Sequence, residues 1–292
     1  MDTADTPPLV SCLCVTEGRP DKLRRAIRCF LAQTHPNKEL LVLFPRGDVA
    51  TESVLSDFAA EGTLRQHALI ANAGLTLGEK RNLSIRLCRG EYFCLWDDDD
   101  WYHPERIQVQ LAALSRYHKL ACLLTHLLLF DVETEQAYLS QTRLWEGSLL
   151  CRTSVVSDAL RYESASLVED SAFVNALIAS NLVYPLSAAN LYVYERHHSN
   201  TSGKKLSLLM YEKGQKLPAR SSELLRDVLA SRFSMSEATM HMNSGALLAE
   251  LHYFHGLTIN MRSEDLARFR DYLRSDQPPE RKLVAQVVEE RR

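Results

Sequence analysis

The sequence Trp96-Asp97-Asp98-Asp99-Asp100-Trp101 places a run of carboxylates directly after an apolar segment, Glu91 to Leu95, that is typical of a buried strand. Adjacent carboxylates repel one another away from water, so the fold has to supply compensating charge or hydrogen-bond donors. A divalent cation is one such source, because Mg²⁺ and Mn²⁺ take oxygen ligands and leave positions for phosphate groups. The alternative is a solvated acidic turn that caps the next helix. The position between two tryptophans at a strand end favours the metal site, with Asp99 as a ligand exposed on a loop.

The chain before this run alternates short apolar strands with an amphipathic helix. Leu9 to Val15 and Leu40 to Phe44 read as strands. Between them, apolar residues recur with the three- and four-residue spacing of a helix, while Arg24, Arg25 and Arg28 fall largely on its opposite side. A strand, a helix and a strand joined by short links predict a βαβ unit with parallel strands and a right-handed crossover.

Ligands of α/β sheets bind beyond the carboxyl ends of the strands. Thr16, Arg19 and the Asp97–Asp100 run all follow apparent strands, so we expect them to meet at one site. Farther along, the pattern predicts a strand from Leu120 to Phe130 and another from Tyr138 to Leu144.

Composition limits the function classes. The chain has 292 residues and a formal net charge of −3, which gives no general reason to expect a nucleic-acid partner. Its seven cysteines are odd in number and lack metal-ligand spacing, which favours a reduced, intracellular compartment. The segment from Met1 to Pro8 lacks the order of a signal peptide, and no apolar segment reads as a membrane span. A cytoplasmic protein is expected, with peripheral association at the inner membrane face left open.

The character of the sequence changes after about residue 202. Three helices are predicted, Ser221 to Phe233, Ser236 to Leu251 and Ser263 to Arg274, and no motif with recognisable chemistry occurs among them. We therefore divide the chain into a catalytic domain at residues 1–202 and a helical segment at residues 203–292. The segment could cover the catalytic domain, form a homo-oligomer, or hold an acceptor or a membrane surface.

Several short motifs, in order, resemble those of the family 2 glycosyltransferases of the GT-A fold, over roughly residues 8–202. The resemblance implies an α/β, Rossmann-like fold with a mixed, mainly parallel sheet flanked by helices, followed here by a helical C-terminal extension. The matching motifs are Val15–Pro20, Phe30–Pro36, Gly78–Asn82, Gly90–Phe93 with Asp97–Asp100, Glu169-Asp170 and Arg196–Ser202.

The same resemblance implies roles for single residues. It implies a Mn²⁺ or Mg²⁺ cofactor held by Asp99 and His197, with His198 as a less well aligned neighbour of the histidine. It implies that Asp170, of the Glu169-Asp170 motif, is the general base of an inverting transfer. The residues that would bind the nucleotide diphosphate are Thr16, Arg19, Arg81, Asp97 and Asp98.

The segment after the second strand departs from the family pattern. The family usually has paired aspartates there, one of which binds the base, whereas this chain has Leu43-Phe44-Pro45-Arg46-Gly47-Asp48. Either Asp48 reaches into the site or Arg46 supplies a different contact. Uridine is still the base that the family implies.

The resemblance thus implies a metal-dependent, inverting glycosyltransferase that uses a nucleotide-diphosphate sugar, UDP-linked as the family implies, and a glycan, lipid-linked or protein-linked acceptor, as in surface polysaccharide or glycoconjugate synthesis. Two alternatives remain. A sugar-1-phosphate nucleotidyltransferase would need a glycine-rich loop after the first strand, where this chain has a single glycine, Gly18. A non-catalytic nucleotide-sugar binding module would not need Asp170. Trp101 and Trp145 could stack on a sugar, although packing is the simpler expectation.

Overall fold

The computed structural model describes residues 6–69, 74–165, 169–197 and 214–255, without the side chains of residues 169, 170 and 253–255. Strands and helices alternate through most of this part of the chain. The strands are β1 Val10–Val15, β2 Lys38–Pro45, β3 Leu64–Leu69, β4 Tyr92–Leu95, β5 Trp101–Tyr102, β6 Ala121–Leu124, β7 Leu128–Asp131, β8 Gln136–Leu139, β9 Leu150–Arg152, β10 Val183–Leu186, β11 Tyr192–Arg196 and β12 Gln215–Lys216. The helices are α1 Pro20–Leu31, α2 Val49–Asp57, α3 Leu77–Leu87, α4 Arg106–Tyr117, α5 Glu169–Ala179, α6 Ala219–Leu229, α7 Met235–Met242 and α8 Gly245–His255.

The larger sheet contains seven strands in the spatial order β10-β6-β9-β4-β1-β2-β3. Strand β1 runs parallel to β2 and to β4, and β2 runs parallel to β3. Strand β9 is antiparallel to both of its neighbours, β4 and β6. The mixed, mainly parallel sheet and the α/β fold class expected from the sequence are confirmed.

Helices cover both faces of the larger sheet. Cys12 of β1 belongs to a core that includes Ile27 of α1. Its neighbour Leu13 belongs to a second core, with Ile85 of α3 and Phe173 of α5. Because successive side chains of a strand point to opposite faces, parallel strands covered in this way read as continuous apolar runs. This burial explains why the strands before the acidic run were recognisable.

The smaller sheet contains five strands in the order β12-β8-β7-β11-β5. The prediction of a single strand from Leu120 to Phe130 is wrong, because β6 joins the larger sheet and β7 joins the smaller one. The chain turns between them at Thr125 and His126. The His126 ring is fixed there, with Nδ1 2.9 Å from Thr125 Oγ1 and Nε2 2.8 Å from Thr142 Oγ1. One of these hydroxyls comes from after β8, so the apolar run itself gave no signal of the turn.

The C-terminal residues that are described, 214–255, pack onto the smaller sheet. Strand β12 pairs with β8, and the Ser222 hydroxyl of α6 accepts a hydrogen bond from Ala137 N at 2.9 Å. The helix expected from Ser236 to Leu251 is two helices, α7 and α8. The predicted domain boundary after residue 202 and the helix expected from Ser263 to Arg274 lie outside the described residues, so both stay predictions.

Two further observations concern the expected compartment. No helix among the described residues is long and apolar enough to cross a membrane. All seven cysteines are free thiols, and six of them are buried.

Candidate active site

The four aspartates follow β4 and lie where the parallel strands β1 and β4 end. Asp98 is 0% exposed, Asp99 8% and Asp100 1%. The expectation that Asp99 is exposed on a loop is therefore wrong. Carboxylates buried to this degree need charged or hydrogen-bonding partners, and the structure provides different partners for each aspartate.

Arg19, in the loop after β1, forms ion pairs with two of the aspartates. Its Nη2 lies 2.7 Å from Asp98 Oδ1, and its Nη1 lies 2.9 Å from Asp99 Oδ2. The Thr16 hydroxyl donates a hydrogen bond to Asp98 Oδ2. Burial and the charge of Asp99 raise the pKa of Asp98 to about 7, although Arg19 and Thr16 oppose this shift. Residues that the sequence placed separately at strand ends are thus in direct contact.

His197 approaches the same aspartate from the end of β11. Its Nε2 lies 3.1 Å from Asp99 Oδ2. Burial alone would raise the pKa of Asp99, but the contact with His197 and the charge of Arg19 outweigh burial and hold that pKa below its ordinary value. Asp99 is therefore ionised at neutral pH and lies beside an imidazole nitrogen.

Asp97 faces Arg81 of α3. Arg81 Nη2 lies 3.7 Å from Asp97 Oδ1, and the Arg81 guanidinium carbon lies 5.6 Å from the centroid of the Tyr162 ring. The start of α3 is fixed by a capping box, in which Thr76 and Glu79 each accept a hydrogen bond from the other's backbone N–H. The Asp97 side chain is 36% exposed and is accessible to a ligand.

Asp100 has a structural role that the sequence did not reveal. Its Oδ1 accepts a hydrogen bond from Glu195 N at 3.0 Å, and its Oδ2 accepts one from the Tyr192 hydroxyl. Burial, with the neighbouring charges of Asp99 and Asp97, raises the pKa of Asp100 well above its ordinary range. The fourth aspartate of the run therefore joins the β4 end to β11.

A buried arginine lies beside the acidic run. Arg106 is 0% exposed, and its guanidinium carbon lies 4.7 Å from the ring centroid of Tyr102 and 5.2 Å from that of Tyr192. Its Nη1 donates to Leu95 O at 3.2 Å. Arg106 belongs to α4 and was not among the residues singled out in the sequence. The aromatic residues Trp96, Trp101 and Trp145 are 0%, 1% and 4% exposed, so packing is their observed role.

The structure shows what Asp48 contacts at the end of β2, while the choice between Asp48 and Arg46 as the contact to the base stays a prediction. Asp48 caps α2, accepting from Thr51 N at 3.1 Å, and also accepts from Gly18 N at 2.7 Å. Gly18 adopts a φ of 63°, a conformation that favours glycine. Arg46 is exposed. Asp48 therefore fixes the loop that carries Arg19, and this contact links the β2 end to the site.

Arg25 was expected on the side of α1 opposite its apolar stripe, and in the structure this side chain contacts polar groups of the protein rather than solvent. Its side chain is 12% exposed, and its Nη2 lies 2.5 Å from Asp99 O and 2.6 Å from Glu195 Oε2. An apolar-stripe analysis assigns such an arginine to solvent, because it counts only apolar positions. Glu195 was also missed, although it directly precedes the Arg196-His197 motif.

The proposed base lies at the start of α5. This helix begins at Glu169, so Asp170 is in its first turn, but the side chains of Glu169 and Asp170 lie outside the described residues. The Ser171 hydroxyl donates to Glu146 Oε1 at 3.2 Å, and Glu146 also forms an ion pair with Arg143. His198 and the rest of the motif up to Ser202 also lie outside the described residues.

Next to Glu146, Gly147 lies against the acidic run. A Cβ at Gly147 would stand 3.6 Å from Asp97 Oδ2 and 3.0 Å from the Tyr192 hydroxyl oxygen. The short turn of Glu146 and Gly147 therefore connects the start of α5 to the aspartates. Neither residue was singled out in the sequence as functional.

Asp99 and His197 could supply two of the ligands of a divalent ion. Within the described ranges, no group of three His, Cys, Asp or Glu side chains could hold a metal ion by itself. A dedicated protein cage is not required, since Mg²⁺ is commonly held by one or two carboxylates plus substrate phosphates. The 3.1 Å between His197 Nε2 and Asp99 Oδ2 matches the roughly 3 Å between adjacent ligands of an octahedral ion with bonds of about 2.1 Å. The donor set fits a divalent metal that also binds a diphosphate.

The sequence comparisons agree with this geometry. Residues 11–154 match the sequence model of glycosyl transferase family 2. An uncharacterized glycosyltransferase of Rickettsia typhi is 30% identical over 109 residues, which cover 37% of this chain and 33% of that protein. Protein CgeD of Bacillus subtilis is 26% identical over 111 residues, covering 36% of this chain and 26% of that protein. The aligned part of the chain spans about a third or less of these relatives' length.

Solved structures show the same fold at low sequence identity. S. aureus TarS in complex with UDP-GlcNAc has a TM-score of 0.55 and 16% identity, with 83% of this chain and 78% of that chain covered. The mannosyltransferase PcManGT from Pyrobaculum calidifontis, in complex with GDP-Man and Mn²⁺, has a TM-score of 0.53 and 11% identity, with 92% and 81% covered. The match over residues 11–154 shows a family 2 glycosyltransferase domain in this part of the chain, and the solved structures show that its fold is the GT-A fold.

Proposed function

We propose that this protein transfers a sugar from a nucleotide-diphosphate sugar to an acceptor hydroxyl, with inversion at the anomeric carbon. The observation that carries the proposal is the convergence of Asp97, Asp98 and Asp99 with Arg19 and His197 at the strand ends. The similar structures were determined with UDP-GlcNAc and with GDP-Man, so a nucleotide-sugar donor is a consistent substrate class.

The nucleotide diphosphate is proposed to lie between the β1 loop and the start of α3. Arg81 on α3 and Arg19 in the β1 loop supply positive charge, and Asp97, the accessible aspartate, pairs with Arg81. The hydrogen bond from Thr16 to Asp98 holds the β1 loop against the acidic run. Uridine as the base is a family expectation, because Asp48 is already engaged with Gly18 and Thr51.

Asp99 and His197 are proposed to hold Mn²⁺ or Mg²⁺ in the substrate complex. When bound, such an ion would neutralise the charge that grows on the departing diphosphate. Asp99 suits this role because its pKa lies below the ordinary value, so the carboxylate is available at neutral pH. The ion pair with Arg19 compensates part of the negative charge of Asp99.

Asp170 is proposed as the general base. In a single displacement, the acceptor oxygen forms a bond to the anomeric carbon while the bond to the diphosphate oxygen breaks, and the acceptor proton passes to the Asp170 carboxylate. The contact between Ser171 and Glu146 fixes the chain next to Asp170, and the turn at Gly147 reaches Asp97. The chain thus connects the proposed base to the proposed donor site.

The acceptor class is proposed as a glycan, a lipid-linked glycan or a protein, and surface polysaccharide or glycoconjugate synthesis is the proposed setting. Peripheral membrane association and homo-oligomer formation through the C-terminal helices are proposals of the same kind. Exposed apolar side chains on those helices, Met240 at 63% and Leu248 at 40%, are consistent with a partner surface.

The proposed function is tested by a panel of UDP- and GDP-linked sugars, with thermal shift measured with and without Mn²⁺. A ligand that binds the native state raises its apparent stability. The product of the best donor should have the inverted anomeric configuration by NMR. Asp170→Asn should reduce kcat by about 10²–10⁴-fold while donor affinity stays near that of the parent, because a general base contributes in that range.

Five results would contradict parts of this proposal. No stabilisation by any nucleotide sugar would exclude the donor class. A retained anomeric configuration, or near-normal turnover of the Asp170→Asn protein, would exclude the proposed base or the inverting mechanism. Formation of a nucleotide sugar from a sugar 1-phosphate would identify a nucleotidyltransferase, and donor binding without any transfer would identify a binding module.

A further inference from the structure

Arg25 connects four separate parts of the chain through one guanidinium group. It lies on α1, and its Nη2 donates to the backbone oxygen of Asp99 at 2.5 Å. The same nitrogen lies 2.6 Å from Glu195 Oε2 of β11. Its Nη1 donates at 3.1 Å to the backbone oxygen of Leu229, the last residue of α6. A single side chain thus joins α1, the acidic run, β11 and the C-terminal helices.

Glu195 of β11 binds a second cation of α1 besides Arg25. Its Oε1 lies 3.1 Å from Lys22 Nζ, so two cations of α1 bind one carboxylate. Its backbone N–H donates to Asp100 Oδ1 at 3.0 Å. Glu195 is two residues before His197, and fixing it limits where His197 can lie. Arg25 therefore acts on both members of the Asp99–His197 pair, through the backbone of one and through Glu195 on the strand that leads to the other.

Stability alone does not account for this arrangement. Arg25 and Glu195 have side chains that are 12% and 10% exposed, and burying an ion pair removes much of its net benefit because both charges lose their hydration. Arg24, on the same helix, forms a solvated pair with Asp57 at 2.7 Å, with side chains 34% and 53% exposed. The two arginines are chemically identical neighbours, and only Arg25 contacts the acidic run. Its contacts are those of a residue that fixes geometry.

We propose that Arg25 is a positioning residue that holds Asp99 and His197 in the arrangement needed to bind a divalent cation together with a diphosphate. The proposal rests on the proposed function of the site. It also gives residues 214–255 a part in catalysis, because Leu229 fixes the guanidinium from the C-terminal side. The bonds of Arg25 described above lead to Asp99 O, Glu195 and Leu229 O rather than to Thr16 or Arg19, so diphosphate binding without metal is expected to be independent of it.

The test compares Arg25→Gln and Arg25→Lys with the matched control Arg24→Gln in the full chain. UDP and GDP are titrated by calorimetry with and without Mn²⁺, and the ratio of the two dissociation constants gives the metal enhancement. Arg25→Gln should reduce this enhancement by about 10–100-fold, as is typical when a group that orients a metal ligand is removed. It should leave metal-free affinity unchanged. Arg25→Lys should recover part of the enhancement, and Arg24→Gln should match the parent.

The outcomes separate this inference from the function on which it rests. If the parent itself shows no metal enhancement with either nucleotide, the metal assignment fails and the inference fails with it. If the parent shows enhancement and Arg25→Gln retains it, only the inference is overturned. An equal loss of affinity with and without Mn²⁺ would also overturn it, since that result indicates general damage to the nucleotide site.

A folding defect in Arg25→Gln would not end the test. Glu195→Gln preserves the size of the side chain and an oxygen acceptor for Arg25 while removing the charge between Arg25 and Lys22. This variant should also reduce the metal enhancement, by less than Arg25→Gln does in a folded protein. A folded Glu195→Gln protein with the parent's enhancement would overturn the proposal.

Discussion

The two sheets contribute to one site in different ways. The larger sheet ends in Thr16 after β1 and in the aspartates after β4, and its strands β1, β2 and β4 are largely apolar and buried. The smaller sheet contributes Glu195 and His197 at the end of β11, and polar contacts fix its register. Arg196 and Asp131, for example, are register partners on β11 and β7 and also form an ion pair at 2.7 Å.

The two sheets therefore differ in what they supply: the larger one mainly supplies charged groups, and the smaller one mainly fixes the positions of those groups. The larger sheet supplies the anionic groups that would face a metal and a nucleotide. The smaller sheet supplies groups that set where those anions lie, because Tyr192 and Glu195 of β11 bind Asp100, and Glu195 also binds Arg25. We therefore expect substitutions at the strand ends of the larger sheet to affect chemistry most, and substitutions in the smaller sheet away from Glu195 and His197 to affect stability first.

The largest expected effect is in the larger sheet. Asp99→Asn should reduce kcat by at least about 100-fold, because a metal supplies several kcal/mol of charge stabilisation and each factor of ten corresponds to about 1.4 kcal/mol. His197→Gln should reduce it less, since the histidine is a neutral ligand that water can replace. Steady-state kinetics with Mn²⁺ measure both, and the surface variant Asp57→Asn is the control. Equal losses in Asp99→Asn and His197→Gln would contradict the division of roles.

The sequence predicted the larger sheet because its signals are local. Apolar runs, the helical stripe of α1 and the acidic run are each visible within a few residues, and Thr16, Arg19, Asp98, Asp99 and His197 do meet in the structure. The catalytic role of Asp170 stays a prediction, since its side chain is not described.

The smaller sheet could not be predicted in the same way. Its strands are as short as the two residues of β5, and the contacts that define it join residues far apart in sequence, such as Asp100 with Tyr192. Arg25 and Arg106 have the sequence context of ordinary helical arginines, and only their tertiary partners distinguish them. Pattern analysis of one sequence contains no information on such pairs.

The next largest expected effect is a loss of stability when the buried ion pair of the smaller sheet is broken. Arg196→Met leaves Asp131, whose side chain is 6% exposed, without its partner, and breaking a buried pair costs about 3–5 kcal/mol. Urea unfolding should show this loss, and adding Asp131→Asn should recover part of it. The matched control in the larger sheet is Arg152→Met, whose pair with Glu91 is exposed and should contribute less than about 1 kcal/mol. Similar losses in Arg196→Met and Arg152→Met would remove the contrast between the sheets.

The contact between the smaller sheet and α6 is expected to contribute less to stability than the ion pair of Arg196 with Asp131. Ser222 Oγ accepts hydrogen bonds from Ala137 N and from Gln136 Nε2, each at 2.9 Å. Ser222→Ala leaves a buried N–H without this acceptor, which costs about 1–3 kcal/mol. Unfolding by urea measures the loss, with the exposed Ser236→Ala as control, and UDP affinity should not change. No loss of stability would support a C-terminal segment that is energetically separate, as the predicted boundary after residue 202 implies.

The smallest expected effect is a pH dependence at the end of β5. His103 is 0% exposed, and burial lowers the pKa of His103, although Glu105 and Asn243 oppose the shift. The folded protein therefore binds fewer protons at this site than the unfolded chain does. The stability that the neutral, buried His103 ring contributes is fully present above the unfolded pKa of about 6.5. It is lost as the pH falls below that value.

Replacing this histidine should remove that part of the acid sensitivity. The stability of His103→Gln relative to the parent should be higher at about pH 5 than at about pH 8, because glutamine takes up no proton in the unfolded chain. Urea unfolding at several pH values measures the difference, and the exposed His252→Gln should follow the parent throughout. The comparison bears on the two sheets because no buried histidine lies on the described strands of the larger sheet. A difference between His103→Gln and the parent that stays constant with pH would mean that the buried ring does not titrate on unfolding, and the prediction would be wrong.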